Sequence, residues 1–567
     1  MHKNQYVFVI VLFFILVYLL PLGVRPLLVP DETRYAEIPR EMVASGEWMV
    51  PHLNGLKYYE KPVMGYWVYG LAQLAFGESN FAVRLPNALA TGMVAFLMYC
   101  LVTAVTGRQD SRVYIPPLIF LSSFGVFGIG TATVLDNILH LFLTASVVLF
   151  FLASEKESRS TSEKILLVLA GIAVGCAFMT KGFLAFVVPV VTVVPYILWQ
   201  MRGRELIRLL AIPAMAAVAV SLPWSIMIHL RDPDFWNFFF WHEHVKRFFS
   251  DGAQHHEPFY FYFLVIIPLF LPWIFLLPSA CVGLFSDTNR GHGLSKVIVL
   301  CVCWLVFPFL FFSISNGKLV TYILPCFPPL SILVGIGLYR TLKVSRRLLG
   351  MGIAIFMVLA IAGLLAIIGV QVLSFNIFSI PEGIWSYNAD SLRYSETFWK
   401  PVIVSSAFLF MAFSCFLALK CKNAEKKLVF VALSPLVFMI STFVALPDLT
   451  LTVKAPGPLL LEEAKNIPSD AIVVTGSEVV AAACWYFKRN DLYIIPWGGE
   501  LHYALSKPEG KHRYLDYGAI RKLIESDGDK MVVLILGRRK WEKNRDKLPD
   551  PREVTTSGQY GFAVVKY

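Results

Sequence analysis

The rest of the chain is organised around a stretch from Pro30 to Pro62, which reads PDETRYAEIPREMVASGEWMVPHLNGLKYYEKP. It directly follows an apolar run, residues 6–28, that is long enough to cross a bilayer. Acidic, basic and aromatic side chains alternate along it, beginning with Asp31 and Glu32. The sequence therefore predicts a first membrane span followed by a loop that carries many side chains capable of chemistry.

The beginning of this stretch is predicted to be helical, because an aspartate is a favourable residue at a helix start. With about 100° of rotation per residue, one face of the helix would carry five residues: Asp31, Arg34, Tyr35, Ile38 and Met42. Asp31 would then share an apolar face, although Pro39 is expected to kink or end the helix. The alternative interpretation is an ordinary capping aspartate in a solvated, charged loop.

The composition excludes a soluble globular protein. Of the 567 residues, 57% are hydrophobic and only 16% are charged, whereas soluble domains contain roughly 25% charged residues. The mean hydropathy of +0.63 also indicates an integral protein of the lipid bilayer. The nine cysteines form no CxxC pattern and predict no disulfide framework. The net charge is +11, but its position along the chain matters more than its sum, and no nucleic acid partner is predicted.

A membrane span needs about 20 apolar residues, and about thirteen runs meet or approach that length. They are 6–28, 85–106, 113–131, 135–153, 165–180, 182–199, 207–230, 259–285, 297–315, 319–339, 350–374, 400–420 and 428–446. The first run is interpreted as a retained span, because it is too long for a signal peptide and lacks a small-residue cleavage site. Residues 63–76 are apolar but short, so an interfacial or re-entrant helix is predicted there.

Lysine and arginine residues indicate which connections between spans face the cytoplasm. They are concentrated in alternate short connections, which places those connections inside. The long connections carry balanced charge and many aromatic residues: 29–84, 231–258, 375–399 and everything after residue 446. With thirteen spans, the N-terminus is predicted to be cytoplasmic and the C-terminal part to lie outside.

Residues 447–567 are predicted to form a small extracytoplasmic α/β domain that follows a transmembrane domain of residues 1–446. Short apolar runs typical of buried strands alternate there with helix-like stretches. The runs are 471–476, 491–496, 530–536 and 561–567, and the helix-like stretches are 478–487 and 519–527. Residues 474–477, Val-Thr-Gly-Ser, resemble the turn of a nucleotide-binding unit, but one glycine is not a fingerprint.

Further polar side chains lie at the outer ends of the predicted spans. The segment WHEHVKRFFS contains His242 and His244, which could bind zinc or could simply donate hydrogen bonds within an aromatic loop. Asp136 lies where an outer turn enters a span, and a carboxylate at that depth usually has a partner or a function, unless it caps the helix. Lys181 and Lys318 fit either a binding role or snorkelling to the interface.

All of these groups surround the outer boundary between membrane and water. Carboxylates, cations and aromatic rings at such a boundary suit a sugar carried on a lipid phosphate. A transporter would place its charges near the middle of its spans. The predicted spans are nearly free of charge, which argues against transport.

The sequence resembles the lipid A aminoarabinose transferases. The resemblance rests on DETRYAEIPREM, SGEW, LNG, YYEKP, GYW and RLPNAL around the first loop, on VLDN, on a His-x-His-x-x-Arg pattern and on GKLVTYILP. It covers roughly residues 1–340. That family belongs to the polyprenyl-phosphate-sugar-dependent membrane glycosyltransferases of the GT-C class, as do the protein O-mannosyltransferases. The resemblance implies a GT-C fold of about thirteen transmembrane helices with a C-terminal outer domain.

The resemblance also implies a site. Its residues would be the catalytic Asp31, Asp136 and Arg34; the donor-phosphate ligands Lys61, Arg247 and Tyr322; the substrate-pocket residues Glu32, Tyr59, His242, His244, Lys181 and Lys318; and the metal ligand Glu60. A divalent metal ion is the only cofactor implied, and a histidine from the later half of the family's chain has no counterpart here. The charged members of this set are expected to converge beneath the outer domain.

The implied reaction is a single displacement with inversion at the anomeric carbon of an amino sugar, 4-amino-4-deoxy-L-arabinose or a similar one, carried on undecaprenyl phosphate. The leaving phosphate is already acidic, so its charge must be stabilised and no proton donor is needed. The expected acceptor is a lipid A phosphate at the outer face of the bacterial inner membrane, a lipopolysaccharide modification linked to polymyxin resistance, and the protein is expected to be a monomer. Two alternatives stay open: a related transferase acting on protein Ser/Thr or another glycan, and a non-enzymatic transporter of lipid or sugar.

Overall fold

The computed structural model describes residues 3–107, 110–240, 256–286, 292–344, 346–373, 397–495, 499–526, 530–558 and 560–567. The chain forms two compact units, each assembled from three segments. The span unit comprises Met1–Leu22, Arg84–Ile367 and Ile403–Thr442, and the loop–sheet unit comprises Gly23–Val83, Ile368–Val402 and Phe443–Tyr567. The predicted domain boundary at residue 446 refers to membrane topology and stays a prediction.

The helices associated with the span unit are mostly long and apolar. They are Lys3–Phe14 with Ile15–Leu19, Asn80–Thr106, Ser111–Val113, Ile115–Leu121, Phe124–Gly130, Leu135–Ser154, Thr161–Lys181, Leu184–Trp199, Gly203–Glu205, Leu206–Arg231, Asp234–Trp236, Phe261–Leu269, Trp273–Leu276, Leu277–Phe285, His292–Ile314, Val320–Cys326, Phe327–Val344, Arg346–Leu373, Trp399–Lys420, Ala424–Leu433 and Leu436–Val444.

Nine helices in the described ranges are long and apolar enough to cross a membrane. A tenth candidate is the pair Phe261–Leu269 and Trp273–Phe285, which is bent by 101°. The apolar helices Lys3–Leu19 and Leu184–Trp199 are shorter, and the predicted run 113–131 is divided into two short helices. The helical, multi-pass membrane architecture is confirmed, whereas the number of thirteen crossings stays a prediction.

Small residues allow helices of the span unit to approach one another closely, as in other membrane bundles. A Cβ atom added to Gly171 would lie 2.3 Å from the carbonyl oxygen of Pro213. One added to Gly175 would lie 2.8 Å from the carbonyl oxygen of Ala217. Helices Thr161–Lys181 and Leu206–Arg231 therefore touch backbone to backbone at these glycines.

The loop–sheet unit begins with helix α1 (Asp31–Ser45), the hairpin of β1 (His52–Leu53) and β2 (Leu56–Lys57), and helix α2 (Met64–Phe76). Its later part runs in order through Asp448–Lys454, Gly457–Glu463, β3 (Ile472–Thr475), α3 (Val480–Phe487), β4 (Tyr493–Ile494), Gly499–Leu501, His502–Ser506, Pro508–Lys511, α4 (Tyr517–Ser526), β5 (Val532–Gly537), α5 (Arg538–Asn544), Arg545–Lys547, β6 (Glu553–Thr556) and β7 (Phe562–Lys566). Helix α2 is the short helix predicted for residues 63–76, and its position relative to a bilayer stays a prediction.

A five-stranded sheet with the order β4-β3-β5-β7-β6 forms the centre of the C-terminal part. Strand β3 is parallel to both β4 and β5, and β7 is antiparallel to both β5 and β6. All four predicted strands and both predicted helices are confirmed. Strand β6 was missed because it is a half-exposed edge strand without a continuous apolar run.

Helix α1 differs from the prediction in two respects. It continues through Pro39 and ends at Gly46, whose φ of +71° is a left-handed conformation that glycine adopts readily. Residues 32–42 are all buried, so the predicted division into one apolar and one polar face is wrong. Asp31 is the first helical residue and does not cap the helix. The surrounding protein stabilises this helix: Glu37 and Arg40 pair within it, whereas Glu32 and Glu41 are bonded to neighbouring segments.

Candidate active site

Asp31 and Arg34 lie one turn apart at the start of α1 and form an ion pair. The Arg34 side chain is buried, whereas 52% of the Asp31 side chain is exposed. A second nitrogen of Arg34 is paired with Glu500, and its guanidinium lies 4.7 Å from the ring centre of Tyr35. Arg34 is thus fixed between two carboxylates, one of which is open to a ligand.

The surroundings of Arg34 keep it charged. Burial lowers the pKa of Arg34, but the nearby tyrosine oxygens and carboxylates outweigh burial and hold the pKa well above its usual range. Its Nε atom has no hydrogen-bond partner among the described residues. Arg34 is therefore a permanent cation that retains one unused donor.

Glu60 and Lys61 are connected to Glu500 through Tyr58. The buried Tyr58 hydroxyl lies 2.9 Å from a carboxylate oxygen of Glu500 and 3.2 Å from one of Glu60, and it can donate to either. Burial raises the pKa of Tyr58, so the hydroxyl stays a neutral donor. The Nζ of Lys61 donates to the backbone oxygen of Glu60 over 2.9 Å and lies 4.0 Å from its carboxylate. One chain of polar groups therefore joins the beginning of the first loop to its end.

Two predicted pocket residues of the first loop have other partners here. Glu32 accepts hydrogen bonds of 2.6 and 2.9 Å from Arg25 and one of 2.9 Å from the backbone N–H of Leu28. Tyr59 packs edge-on against Tyr503, with 5.0 Å between the ring centres. These contacts fix the chain on either side of α1, and a pocket role for Glu32 and Tyr59 stays a prediction.

The hairpin between α1 and α2 is anchored at its turn. The carboxylate of Glu41 accepts the backbone N–H groups of Asn54 and Gly55 over 2.6 and 2.9 Å. The Asn54 side chain in turn donates to the carbonyl of Leu492 over 2.8 Å and accepts its N–H over 2.9 Å. The first loop is therefore bonded to the C-terminal sheet at β4.

A buried group of Glu37, Glu41 and Cys484 has ligand atoms within 4.8 Å of one another. The Glu37 carboxylate is bound by Arg40 over 2.6 and 2.7 Å, and Glu41 holds the hairpin. Burial raises the pKa of both carboxyl groups. The donors of this group are thus already used in holding α1. Glu60, the predicted metal ligand, belongs to no such group in the part of the chain that the structure describes.

The span unit holds a second set of predicted site residues. Asp136, in the first turn of helix Leu135–Ser154, accepts a hydrogen bond of 2.5 Å from Lys181. The Nζ of Lys181 also lies 4.4 Å from the ring centre of Tyr322. The next residue, Asn137, donates to the backbone oxygen of Asn87 over 2.5 Å, which fixes the turn. The interpretation of Asp136 as a carboxylate with a partner is thus supported by its geometry.

Lys318 is buried and donates to the backbone oxygens of Glu257 and Ser315 over 2.7 and 2.5 Å. It therefore fixes a turn of the span unit, and snorkelling does not account for it. Arg247, His242 and His244 lie outside the described residues. Their roles, the metal site and the expected convergence of the whole set stay predictions.

The structure adds two residues that the sequence analysis did not select, Glu500 and Tyr58. Glu500 lies in an irregular segment of the C-terminal part, and nothing in the sequence marks it as the partner of Arg34. The hairpin could have been predicted, because Asn54-Gly55 is a strong turn signal. Asn54 and Gly55 have φ angles of +57° and +67°, as that signal requires.

Comparisons with known proteins identify the class. Residues 4–239 match the family model described as dolichyl-phosphate-mannose-protein mannosyltransferase. Residues 451–564 match the model of the C-terminal domain of the arabinosyl transferase ArnT. The crystal structure of ArnT from Cupriavidus metallidurans bound to undecaprenyl phosphate aligns with a TM-score of 0.81 over 99% of this chain and 98% of that one, at 23% identity. The fold and these matches define a polytopic GT-C membrane glycosyltransferase.

Relatives over the whole length narrow the class to a family. The undecaprenyl phosphate-alpha-4-amino-4-deoxy-L-arabinose arabinosyl transferase of Shewanella sediminis is 36% identical over 99% of this chain and 97% of its own. The transferase of the same name from Serratia proteamaculans is 36% identical over 97% of each chain. The chain belongs to this family of arabinosyl transferases.

Proposed function

We propose that the protein transfers 4-amino-4-deoxy-L-arabinose from undecaprenyl phosphate to a phosphate of lipid A at the outer face of the inner membrane. The observation that carries the proposal is the name shared by relatives that match the chain over nearly its entire length. The ion pair of the exposed Asp31 and the buried Arg34 at the start of α1 supports it. The protein would act as a monomer, with its N-terminus in the cytoplasm and residues 447–567 in the periplasm.

The reaction is a single displacement at the anomeric carbon. An oxygen of the acceptor phosphate forms a bond to that carbon while the bond to the oxygen of undecaprenyl phosphate breaks, and the configuration inverts. Both the attacking and the leaving groups are phosphates, so no proton has to be transferred at the sugar. The protein must instead stabilise the negative charge that develops on the leaving phosphate.

Cations and carboxylates have separate roles in this reaction. Lys61 and Arg247, with Tyr322, would hold the leaving phosphate. The exposed Asp31 carboxylate would bind the amino sugar, and Arg34 would attract the acceptor phosphate. Asp136 would hold the Lys181 cation in place within the span unit. If Glu60 binds a metal ion, that ion would add a further positive charge near the phosphates.

The test uses the purified protein, an undecaprenyl-phosphate amino sugar carrying a label, and two acceptors. The two acceptors are lipid A and a Ser/Thr-rich peptide. We expect the label to appear on lipid A and not on the peptide. The peptide belongs in the assay because the first part of the chain matches the mannosyltransferase model. Label on the peptide alone would contradict the proposal and indicate that the protein glycosylates proteins. Label on neither acceptor, with donor moved across a vesicle membrane, would indicate transport.

A further inference from the structure

A cleft of about 500 Å³ lies within the loop–sheet unit, at the end of its sheet. Its walls include Ser477 after β3, Gly537 at the end of β5, and Lys454. The first turn of α1 forms another wall with Thr33 and Arg34. A cleft of this volume is in the range of pockets that bind small molecules.

The cleft lies where the topology of the sheet favours a ligand. From β3 the chain passes to β4 on one side, and it returns to β5 on the other side of β3. The carboxyl ends of the parallel strands β3 and β5 therefore border the point at which the strand order reverses. Ligands of α/β sheets bind in the crevice at such a point. The Thr475-Gly476-Ser477 turn, which the sequence analysis left without a role, is one edge of it.

Two glutamates line the cleft, and one of them, Glu478, is bound at the end of β5. Glu478 accepts the backbone N–H of Gly537 over 3.1 Å and the Nζ of Lys540 over 2.8 Å. A Cβ atom at Gly476 would lie 2.7 Å from the Glu478 carboxylate, so a larger residue there would require this carboxylate to shift. The end of β5 thus donates to an anion through the Gly537 N–H, and Lys540 neutralises the carboxylate of Glu478.

Two further cations, Lys454 and Arg539, line the cleft. Arg34 is paired with Glu500, and Arg538 is paired with Glu542 over 2.7 Å. For Lys454 and Arg539, by contrast, no acid partner is present among the residues that the structure describes. The guanidinium of Arg539 lies 4.4 Å from the ring centre of Tyr560, which holds it in place and leaves its N–H groups available.

We propose that Lys454 and Arg539 in this cleft bind a second phosphate of the acceptor glycolipid, remote from the phosphate that receives the sugar. The inference rests on the proposed function, because the cleft shares its α1 wall with Arg34, the neighbour of the expected catalytic Asp31. Arginine and lysine are the side chains that bind phosphate most strongly. The site would thus select glycolipids phosphorylated at both ends of the headgroup.

The experiment compares the full-length protein with the double variant Lys454→Gln/Arg539→Gln. Each is given a bisphosphorylated and a monophosphorylated glycolipid with identical acyl chains. In the wild type, kcat/KM should favour the bisphosphorylated acceptor by about tenfold, since one charge-assisted contact is worth about that factor. In the double variant the ratio of the two kcat/KM values should be close to one. Arg539→Lys, which keeps the charge, should retain part of it, and Arg521→Gln/Lys522→Gln on the exposed face of α4 serves as the matched control.

Equilibrium binding of the two glycolipids to detergent-purified protein, measured without donor, separates this inference from the proposed function. If the wild type transfers sugar and the double variant keeps the full preference, the cleft does not bind the second phosphate. If the wild type transfers nothing, yet binds the bisphosphorylated lipid more tightly through Lys454 and Arg539, phosphate binding in the cleft is supported and the proposed function is contradicted. If inorganic phosphate binds through these residues while acceptor phosphorylation has no effect, the ligand is a soluble anion and the inference is overturned.

Discussion

The guanidinium of Arg34 forms an ion pair with the carboxylate of Glu500, so the first loop and the C-terminal part contribute to one charged group. Glu500 also accepts the Tyr58 hydroxyl over 2.9 Å. It therefore holds Arg34 in position next to Asp31. A residue remote in sequence thus controls the geometry of the predicted catalytic pair.

Glu500→Gln should reduce transfer by about tenfold, because a neutral amide holds the Arg34 cation less firmly. The effect on thermal stability should be small, since the Glu500 side chain is 39% exposed and its charge is screened by solvent. Glu509→Gln is the matched control, as Glu509 is 58% exposed and lies 3.9 Å from Lys57. Equal activity of the Glu500 variant and the control would show that Arg34 needs no such support.

Asp31→Asn and Lys61→Ala should each lower the rate by about a hundredfold or more, because they remove charges expected at the reacting phosphates and sugar. Both proteins should insert into membranes and purify in normal amount. Lys57→Ala, on the hairpin of the same loop, provides the control. Near-normal turnover in either variant would show that the substituted residue, Asp31 or Lys61, has only a structural role.

Asp136→Asn should destabilise the protein by about 3 kcal/mol, because it leaves the largely buried Lys181 without its counter-charge. Adding Lys181→Met should restore most of the melting temperature, since the uncompensated charge is then gone. Activity should stay low in the double variant if the pair serves the site. Recovery of both stability and transfer would assign the pair to packing alone.

The pH dependence of stability should change in Glu37→Gln. Burial, which outweighs the bound Arg40, raises the pKa of the Glu37 carboxyl well above its ordinary 4.5. The stabilising contribution of the protonated acid is therefore complete below the unfolded pKa and is lost as pH rises through the higher folded pKa. The melting temperature of the wild type should fall relative to that of the variant as pH rises above 4.5. A constant difference between them over this pH range would contradict this assignment.

A reporter enzyme that works only in the periplasm should be active when it is fused after Tyr567. One that works only in the cytoplasm should be inactive there. The expectation depends on the distribution of lysine and arginine among the connections between spans. A cytoplasmic signal would place the loop–sheet residues on the wrong side for an outer-leaflet acceptor.

The sequence was sufficient for elements whose signal is local. Apolar runs predicted the spans and four strands, because burial of a span or of a parallel strand requires continuous apolar residues. The spacing of Asp31 and Arg34 was enough to place them on one helical turn. The burial of α1 on all sides was not predictable, because its charges are neutralised by partners such as Arg25 and Glu500 that only the tertiary fold supplies.

The candidate site was predicted only in part, because the sequence indicates single residues and only the tertiary fold shows which of them form pairs. Asp136 was selected as a carboxylate needing a partner, and Lys181 was selected separately, but no sequence pattern linked them as a pair. Lys318 was selected too, and its bonds to two backbone oxygens give it a structural task that charge alone could not reveal. The cations of the cleft were not selected, because the pairing of a cation depends on which acids the fold places nearby.

The bonds from Asn54 to Leu492 have a consequence for biosynthesis. The ribosome produces the first loop early, but the strand that receives it, together with Glu500, is made only after nearly all the spans. Until then Arg34 lacks the carboxylate of Glu500 and the hairpin turn lacks its bonds to Leu492, so these contacts of the first loop cannot form. A chain whose synthesis stops before these last residues would therefore carry every residue of the first loop and still have no assembled site, which gives the cell an inherent safeguard against active fragments.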